Sequence, residues 1–333
     1  MLRTLPIFFL LALISIGGRV TAQSPAKPTE GETKKEAPQV PEAKPAAKLP
    51  FLIYYPGSSF YAEGQKGNEL WELGSYLGEK VRKKGEVLLG EVANSKKSAL
   101  EIMKREKPAF ALVTPAFYFD QLEELKLRPI VAAVQGKAFR ETWVLVTGAK
   151  TASVDELSSK TIACIRGADE ETYLKDVVLD GRIDCTFSKV EKLSDTLSKM
   201  KSGDADAPTA VLARARFIDD EALKDENNPL KRLWTSAELS PMLLVGIGDS
   251  LNADDEAILK KTLLGMKADE SAAAHLTIFG VSSFSEVNTA LLDSEKKKLA
   301  LAKFKRERAT KEQTGDDSEG KDSKEGQKEA PKS

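Results

Sequence analysis

Between residues 50 and 309 the chain alternates short apolar runs with segments whose apolar residues recur at spacings near 3.6. The first run, Phe51-Leu52-Ile53-Tyr54-Tyr55, reads as a strand ending at Pro56-Gly57. A helix follows with Leu70, Leu73, Leu77 and Val81 on one face. Val87-Leu88-Leu89 reads as the next strand, and Ser95 is placed to cap a helix carrying Leu100 and Met103. Residues 109–113 form a continuous apolar strand of the kind buried on both faces of a parallel sheet. Thr114-Pro115 then supplies an N-cap and first-turn pair for a helix through Phe119, Leu122 and Leu125.

The second half repeats the design. Residues 161–165 read as a strand, and Asp169 is placed to cap a helix with Tyr173, Leu174, Val177 and Val178. A strand over 184–188 precedes a helix with Leu193, Leu197 and Met200. The turn Ser202-Gly203-Asp204 leads to the apolar strand Ala210-Val211-Leu212-Ala213. Helix, polar turn, buried strand and new helix thus occur twice in one order, the pattern of an α/β fold with a largely parallel sheet in each of two similar lobes.

The two ends are different in kind. Arg3, an apolar run over 7–16 and the small residues Val20-Thr21-Ala22 make residues 1–22 an export signal, cleaved or retained as an anchor. The run is shorter than the about 20 residues of a membrane span. Residues 23–49, rich in Pro, Lys, Glu and Ala, and the charged residues 310–333 have little to bury and read as disordered tails.

Charge and rare residues then narrow the function. Fifty Lys and Arg against 51 Asp and Glu lack the basic excess of a nucleic-acid protein. One histidine and two cysteines, without metal-ligand spacing, argue against zinc and leave no catalytic triad. His275, in an alanine-rich run, reads as structural, and Gly246-x-Gly248 lacks the third glycine of a nucleotide loop. The reading therefore calls for no enzyme, cofactor or metal. Cys164 and Cys185 fall in consecutive strand candidates; in an exported protein they form either a disulfide closing a loop of about 20 residues, for about 3 kcal/mol, or two buried thiols.

The order of segments resembles the type 2 periplasmic solute-binding proteins, especially the phosphonate- and nitrate/sulfonate-binding branch of ABC transporter substrate-binding components. Lys107-Pro108-Ala109-Phe110-Ala111-Leu112-Val113-Thr114-Pro115-Ala116-Phe117-Tyr118 is similar to that family's turn after its third strand. Val154-Asp155-Glu156-Leu157-Ser158-Ser159-Lys160-Thr161-Ile162-Ala163 resembles its entry into the second lobe. Leu230 to Trp234, with Ser240-Pro241-Met242-Leu243-Leu244-Val245, resembles the return crossing. The resemblance implies two α/β lobes joined by a hinge of two crossing strands, near Trp143 to Thr147 and Leu243 to Ile247. Lobe 1 would comprise 50–143 and 244–309, with the C-terminal helices packed back on it, and lobe 2 would comprise 144–243.

It further implies a monomer that closes over a small polar or anionic solute outside the cytoplasm, for a membrane permease or a sensor. The alternative is an interaction or scaffold protein keeping the fold with a degenerate cleft. One stretch departs from the phosphonate branch: where a Ser/Thr-rich helix start holds the anion there, this chain has Arg166-Gly167-Ala168-Asp169-Glu170-Glu171, whose acids oppose one.

Ligands of open α/β sheets sit beyond the carboxyl ends of strands. That rule nominates Tyr54, Tyr55, Thr114, Pro115, Tyr118, Arg140, Arg166, Asp169 and Arg214. Strand alternation buries one of Tyr54 and Tyr55 and leaves the other on the cleft. Thr114 also serves as a helix cap, Arg214 and Arg216 also suit a solvated helix start, and Trp143 suits a cleft wall or the core.

Overall fold

The computed structural model describes residues 49–56, 67–82, 86–136, 139–224 and 228–314. The expected export signal and nearly all of the expected N-terminal tether lie outside these residues, as does the C-terminal tail beyond 314.

Two mixed sheets organise the chain. The first contains β1 (Phe51–Tyr54), β2 (Gly90–Ala93), β3 (Phe110–Val113), β4 (Leu127–Val134), β10 (Leu243–Ile247) and β11 (Ser283–Ser285), and the second β5 (Trp143–Gly148), β6 (Thr161–Cys164), β7 (Thr186–Lys189), β8 (Ala210–Arg214) and β9 (Leu230–Thr235). Their spatial orders are β2-β1-β3-β10-β4-β11 and β7-β6-β8-β5-β9. Each has a parallel trio, then one antiparallel strand, then a strand parallel to the trio again. The similarity of the two halves therefore extends to strand order, and the fold is α/β as the sequence predicts.

The helices are α1 (Asn68–Val81), α2 (Lys96–Glu106), α3 (Pro115–Gln121), the single turn α4 (Glu171–Tyr173), α5 (Leu193–Ser202), α6 (Asp220–Leu223), α7 (Ala253–Gly265), α8 (Glu270–Ala273) and α9 (Thr289–Thr314). Alternation along β1 sends Phe51 and Ile53 to the face carrying Leu70, Leu73, Leu77 and Val81 of α1. Leu52 and Tyr54 go to the face covered by α2 and α3. Each fully buried side chain of this kind contributes about 1.5–3 kcal/mol.

Local signals held where they were chemical. The Ser95 hydroxyl accepts from the Ser98 amide at 3.2 Å, and Thr114 Oγ1 accepts from the Phe117 amide at 3.1 Å with Pro115 at the first helical position. The second strand, however, starts at Gly90 rather than at Val87. The Leu88 amide donates to Gly74 O at 3.0 Å, so residues 86–88 run along α1 instead of the sheet. Only glycine permits this approach: a Cβ at Gly74 would stand 1.9 Å from Leu88 O, and one at Gly78 2.1 Å from Glu86 O. Asp169 does not cap a helix either; it lies within a 3-10 turn over Gly167–Glu170, which runs into α4 and a π-helical turn over Leu174–Val178.

The crossings lie beside the segments named for them. Trp143 to Thr147 and Leu243 to Ile247 are strands within the sheets, whereas the chain changes sheets between the end of β4 at Val134 and the start of β5 at Trp143, and again over 236–242. The two passages pair through Glu141 and Leu239, amide to carbonyl in both directions at 2.9 and 2.8 Å.

The disulfide reading is overturned. Cys164 and Cys185 are buried without a bond between them. Register gives the reason: β6 and β7 are parallel neighbours, but Cys164 stands level with Lys189, and Cys185 precedes Thr186, the partner of Thr161. The cysteines are thus about four residues, or ~13 Å, out of step along the strands, beyond the reach of a disulfide.

Candidate functional site

The carboxyl ends of β1, β3 and β4 in the first sheet face those of β6 and β8 in the second, and the facing residues form a polar floor. Arg166 follows β6 and Arg214 ends β8; both are buried. Each has found a carboxylate of the chain. Arg166 contacts Glu170 at 3.4 Å, and Arg214 pairs through Nε with Glu141 on the first passage. Both guanidiniums also stack over Trp143, at 5.4 and 5.8 Å, so Trp143 is a buried support beneath the floor. From the first lobe, Gln135 accepts from Arg214 at 2.8 Å, and Thr114 hydrogen-bonds Glu170.

Burial raises the Glu170 carboxyl, against the pull of Arg166 and Thr114. Burial also works against the Arg166 charge, but Glu170 and Glu141 outweigh it and hold its pKa above the usual guanidinium value. The acids at 169–171 therefore act in two ways: Glu170 turns inward as the internal counter-ion of Arg166, while Asp169 reaches across to the Lys96 amide at 3.4 Å.

Tyr54 is fully buried against Phe117, ring centroids 4.9 Å apart, and burial together with Glu170 and Asp169 raises its phenol pKa. Tyr55 is half-buried on the other side, where its hydroxyl accepts from Gln135 at 3.2 Å. The structure thus brings together Tyr54, Tyr55, Thr114, Arg166, Asp169 and Arg214, with Pro115 behind Thr114. It leaves out two candidates. Tyr118, on α3, packs into the core shared with α2 beside Phe119, and Arg140 is exposed and paired with Glu238.

Two cavities flank the floor. One, of about 150 Å³, is lined by Tyr54, Lys96, Asp120, Asp169, Glu171 and Thr172 among others. The other, of about 270 Å³, has apolar walls of Ile53, Val92, Phe217, Ile278 and Phe279, with Tyr55, Gln135, Arg216 and Thr277 as its polar side chains. Gly280, at φ +63, turns the chain here, and a Cβ on it would lie 3.5 Å from the Tyr55 ring.

The C-terminal helix α9 does more than pack back on the first lobe. Leu292 joins the first-lobe core and Leu299 packs on the second-lobe core. Glu295 accepts from the Ser240 amide and, at 3.0 Å, from the Tyr173 hydroxyl, while Lys298 and Arg306 pair with Asp180 and Asp176, each at 2.8 Å.

Sequence reasoning weighed Glu170 and Arg216 without nominating them as site residues, and it did not nominate Gln135, Glu141 or Glu295 either. Signals were available for three of them: Glu141 lies beside a crossing, Glu170 stands four residues after Arg166, and Arg216 two residues past the end of β8. Nothing local marks Gln135 or Glu295, whose partners lie far along the chain. Among the described residues no helix is long and apolar enough to cross a membrane, and no acid, histidine or cysteine cluster could hold a metal.

No protein-family model matches the chain, and no curated protein matches it significantly in sequence. Solved structures do match. XAC2383 from Xanthomonas citri, solved with ATP and with chloride, superposes with a TM-score of 0.59 at 12% identity, covering 77% of this chain and 98% of that one. PhnD1 from Prochlorococcus marinus, in complex with methylphosphonate, gives 0.51 at 13% identity over 75% and 97%. The binding protein component of an ABC phosphonate transporter from Pseudomonas aeruginosa gives 0.50 at 12% over 80% and 99%. At such identities the likeness speaks for architecture alone: this chain has the fold of the type 2 periplasmic solute-binding proteins.

Proposed function

We propose that the chain is an extracytoplasmic solute-binding protein, not an enzyme, which holds a small solute between its lobes for a membrane permease or a sensor. The observation that carries this reading is the cavity of about 270 Å³, walled by residues of both lobes at the carboxyl ends of their strands. That edge of an α/β sheet is where ligands settle, and a mostly apolar chamber with a few convergent polar groups is the usual form of such a site. The export signal over residues 1–22 and the tether over 23–49 suit a monomer working outside the cytoplasm. In this reading Tyr55 touches the solute, while Tyr54, Thr114, Arg166, Asp169 and Arg214 hold the floor beneath it.

Purified full-length protein screened by thermal shift against anions, amino acids and polyamines tests the reading. A true solute gives saturable stabilisation, about 2.7 kcal/mol at a hundredfold excess over Kd. Chemical turnover of a binding compound would instead indicate an enzyme.

A second reading, a scaffold protein whose cleft takes no solute, has its own support. Glu170 and Glu141 already neutralise the two buried arginines, and α9 contacts both lobes. Silence across the whole screen favours it.

A further inference from the structure

Three arginines border the gap, and they are not equivalent. Arg166 and Arg214 are buried and each has a glutamate. Arg216 lies just past the end of β8, exposed at the larger cavity, and among the described residues no carboxylate stands within ion-pair distance of it. Its guanidinium lies 4.6 Å from the Phe217 ring centroid and reaches the Tyr55 hydroxyl. Arginine keeps its charge at any physiological pH, so this is a standing cation beside apolar walls.

The other polar groups here have little left to give. Gln135 Nε2 donates to the Tyr55 hydroxyl at 3.2 Å and to Gly280 O at 2.9 Å, its Oε1 is taken by Arg214, and the Thr277 hydroxyl donates its proton to Ala274 O at 2.7 Å. What remains for a solute is one planar cationic fork and one phenol. That set matches a carboxylate, which takes two parallel hydrogen bonds from a guanidinium. A phosphonate dianion carries three acceptor oxygens and up to two charges, more than these donors satisfy. The walls ask for an apolar body: Ile53, Val92, Ile278 and Phe279 are buried behind the cavity, and Phe217, half exposed at its mouth, gives an aromatic face.

We infer that the larger cavity binds a small monocarboxylate with an apolar chain or ring, its carboxylate on Arg216 and Tyr55 and its body against Phe217, Ile278 and Phe279. This inference rests on the solute-binding reading and narrows it to a ligand class.

Isothermal titration of the full-length protein with benzoate and hexanoate tests it, beside benzamide, hexanamide, methylphosphonate and inorganic phosphate. At least one carboxylate is expected to bind saturably and its amide far more weakly. Arg216→Gln is expected to weaken the carboxylate by about 30-fold or more, the scale seen when a charge pair loses its cation. Arg216→Lys, which keeps the charge but not the fork, should fall between. Circular dichroism melts of both variants confirm that they fold.

Tighter binding of methylphosphonate or phosphate than of either carboxylate overturns the ligand class and leaves solute binding intact. So does carboxylate binding that Arg216→Gln leaves unchanged, or binding in the wider screen only by amino acids or polyamines. If no compound in either set binds, both the class and the solute-binding reading fall.

Discussion

The two cavities beside the floor sit in one gap yet have opposite characters. The smaller is rimmed by Asp120, Asp169 and Glu171, and contacts bridge its side of the gap: Phe119 stacks on Tyr173 at 6.4 Å, Asp169 meets the Lys96 amide, and α9 touches both cores. The larger is mostly apolar and bears Arg216, which has no carboxylate within ion-pair distance among the described residues. The difference teaches where the chain has satisfied itself. Arginines given a carboxylate partner have become part of the structure, whereas Arg216 keeps its charge beside apolar walls with no carboxylate in ion-pair reach among the described residues.

Breaking a self-satisfied pair should have the largest effect. Glu141→Ala leaves Arg214 buried without its partner and is expected to cost about 3–5 kcal/mol of stability by urea denaturation. Replacing the pair together, Glu141→Leu with Arg214→Met, should recover most of that loss. A smaller loss there would mean that water already reaches the pair.

The bridged side can be probed by pH. Glu295 is buried and, among the described residues, has no cation within ion-pair distance; burial raises its carboxyl pKa despite the bonds from Ser240 and Tyr173. A carboxyl raised on folding holds its proton where the unfolded chain has released it. Its contribution is therefore complete below the ordinary carboxylate range and is lost as pH rises through the folded value. Urea midpoints from pH 5 to 8 should fall more steeply for the native chain than for Glu295→Gln, and equal slopes would refute the assignment.

The apolar side should respond least. Arg216→Gln, at an exposed position without a carboxylate partner, is expected to change unfolding free energy by no more than about 0.5 kcal/mol. A cost as large as that of Glu141→Ala would show that Arg216 belongs to the floor.

What the sequence revealed and what it hid follow the range of the interactions. Continuous apolar runs marked β1, β3 and β8, and short-range caps at Ser95 and Thr114 came with them, because those signals lie within a few residues. Val87-Leu88-Leu89 misled because an apolar triplet does not say whether it faces a strand or a helix, and Gly74 decided for the helix. The cysteines misled because adjacent strands carry no statement of register in their sequence. Two thiols per chain should react with a disulfide-exchange reagent in denaturant without reductant; in the folded state Cys185 should be slow, since burial pushes its thiol up to about 11. The floor was half legible. Strand ends nominated Arg166 and Arg214; Glu170, four residues after Arg166, stood within local reach, but Glu141 could be matched to Arg214 only in three dimensions.

The long C-terminal helix has a mechanical consequence. From Leu292 to Arg306 it runs about 21 Å as a stiff rod, fixed to one lobe near its start and to the other further on. A rod seated at both ends sets the width of what it spans, so any widening must first unseat Glu295, Lys298 or Arg306. Substitutions at those positions would then loosen how the two sheets are set against each other, from a distance and without touching the floor.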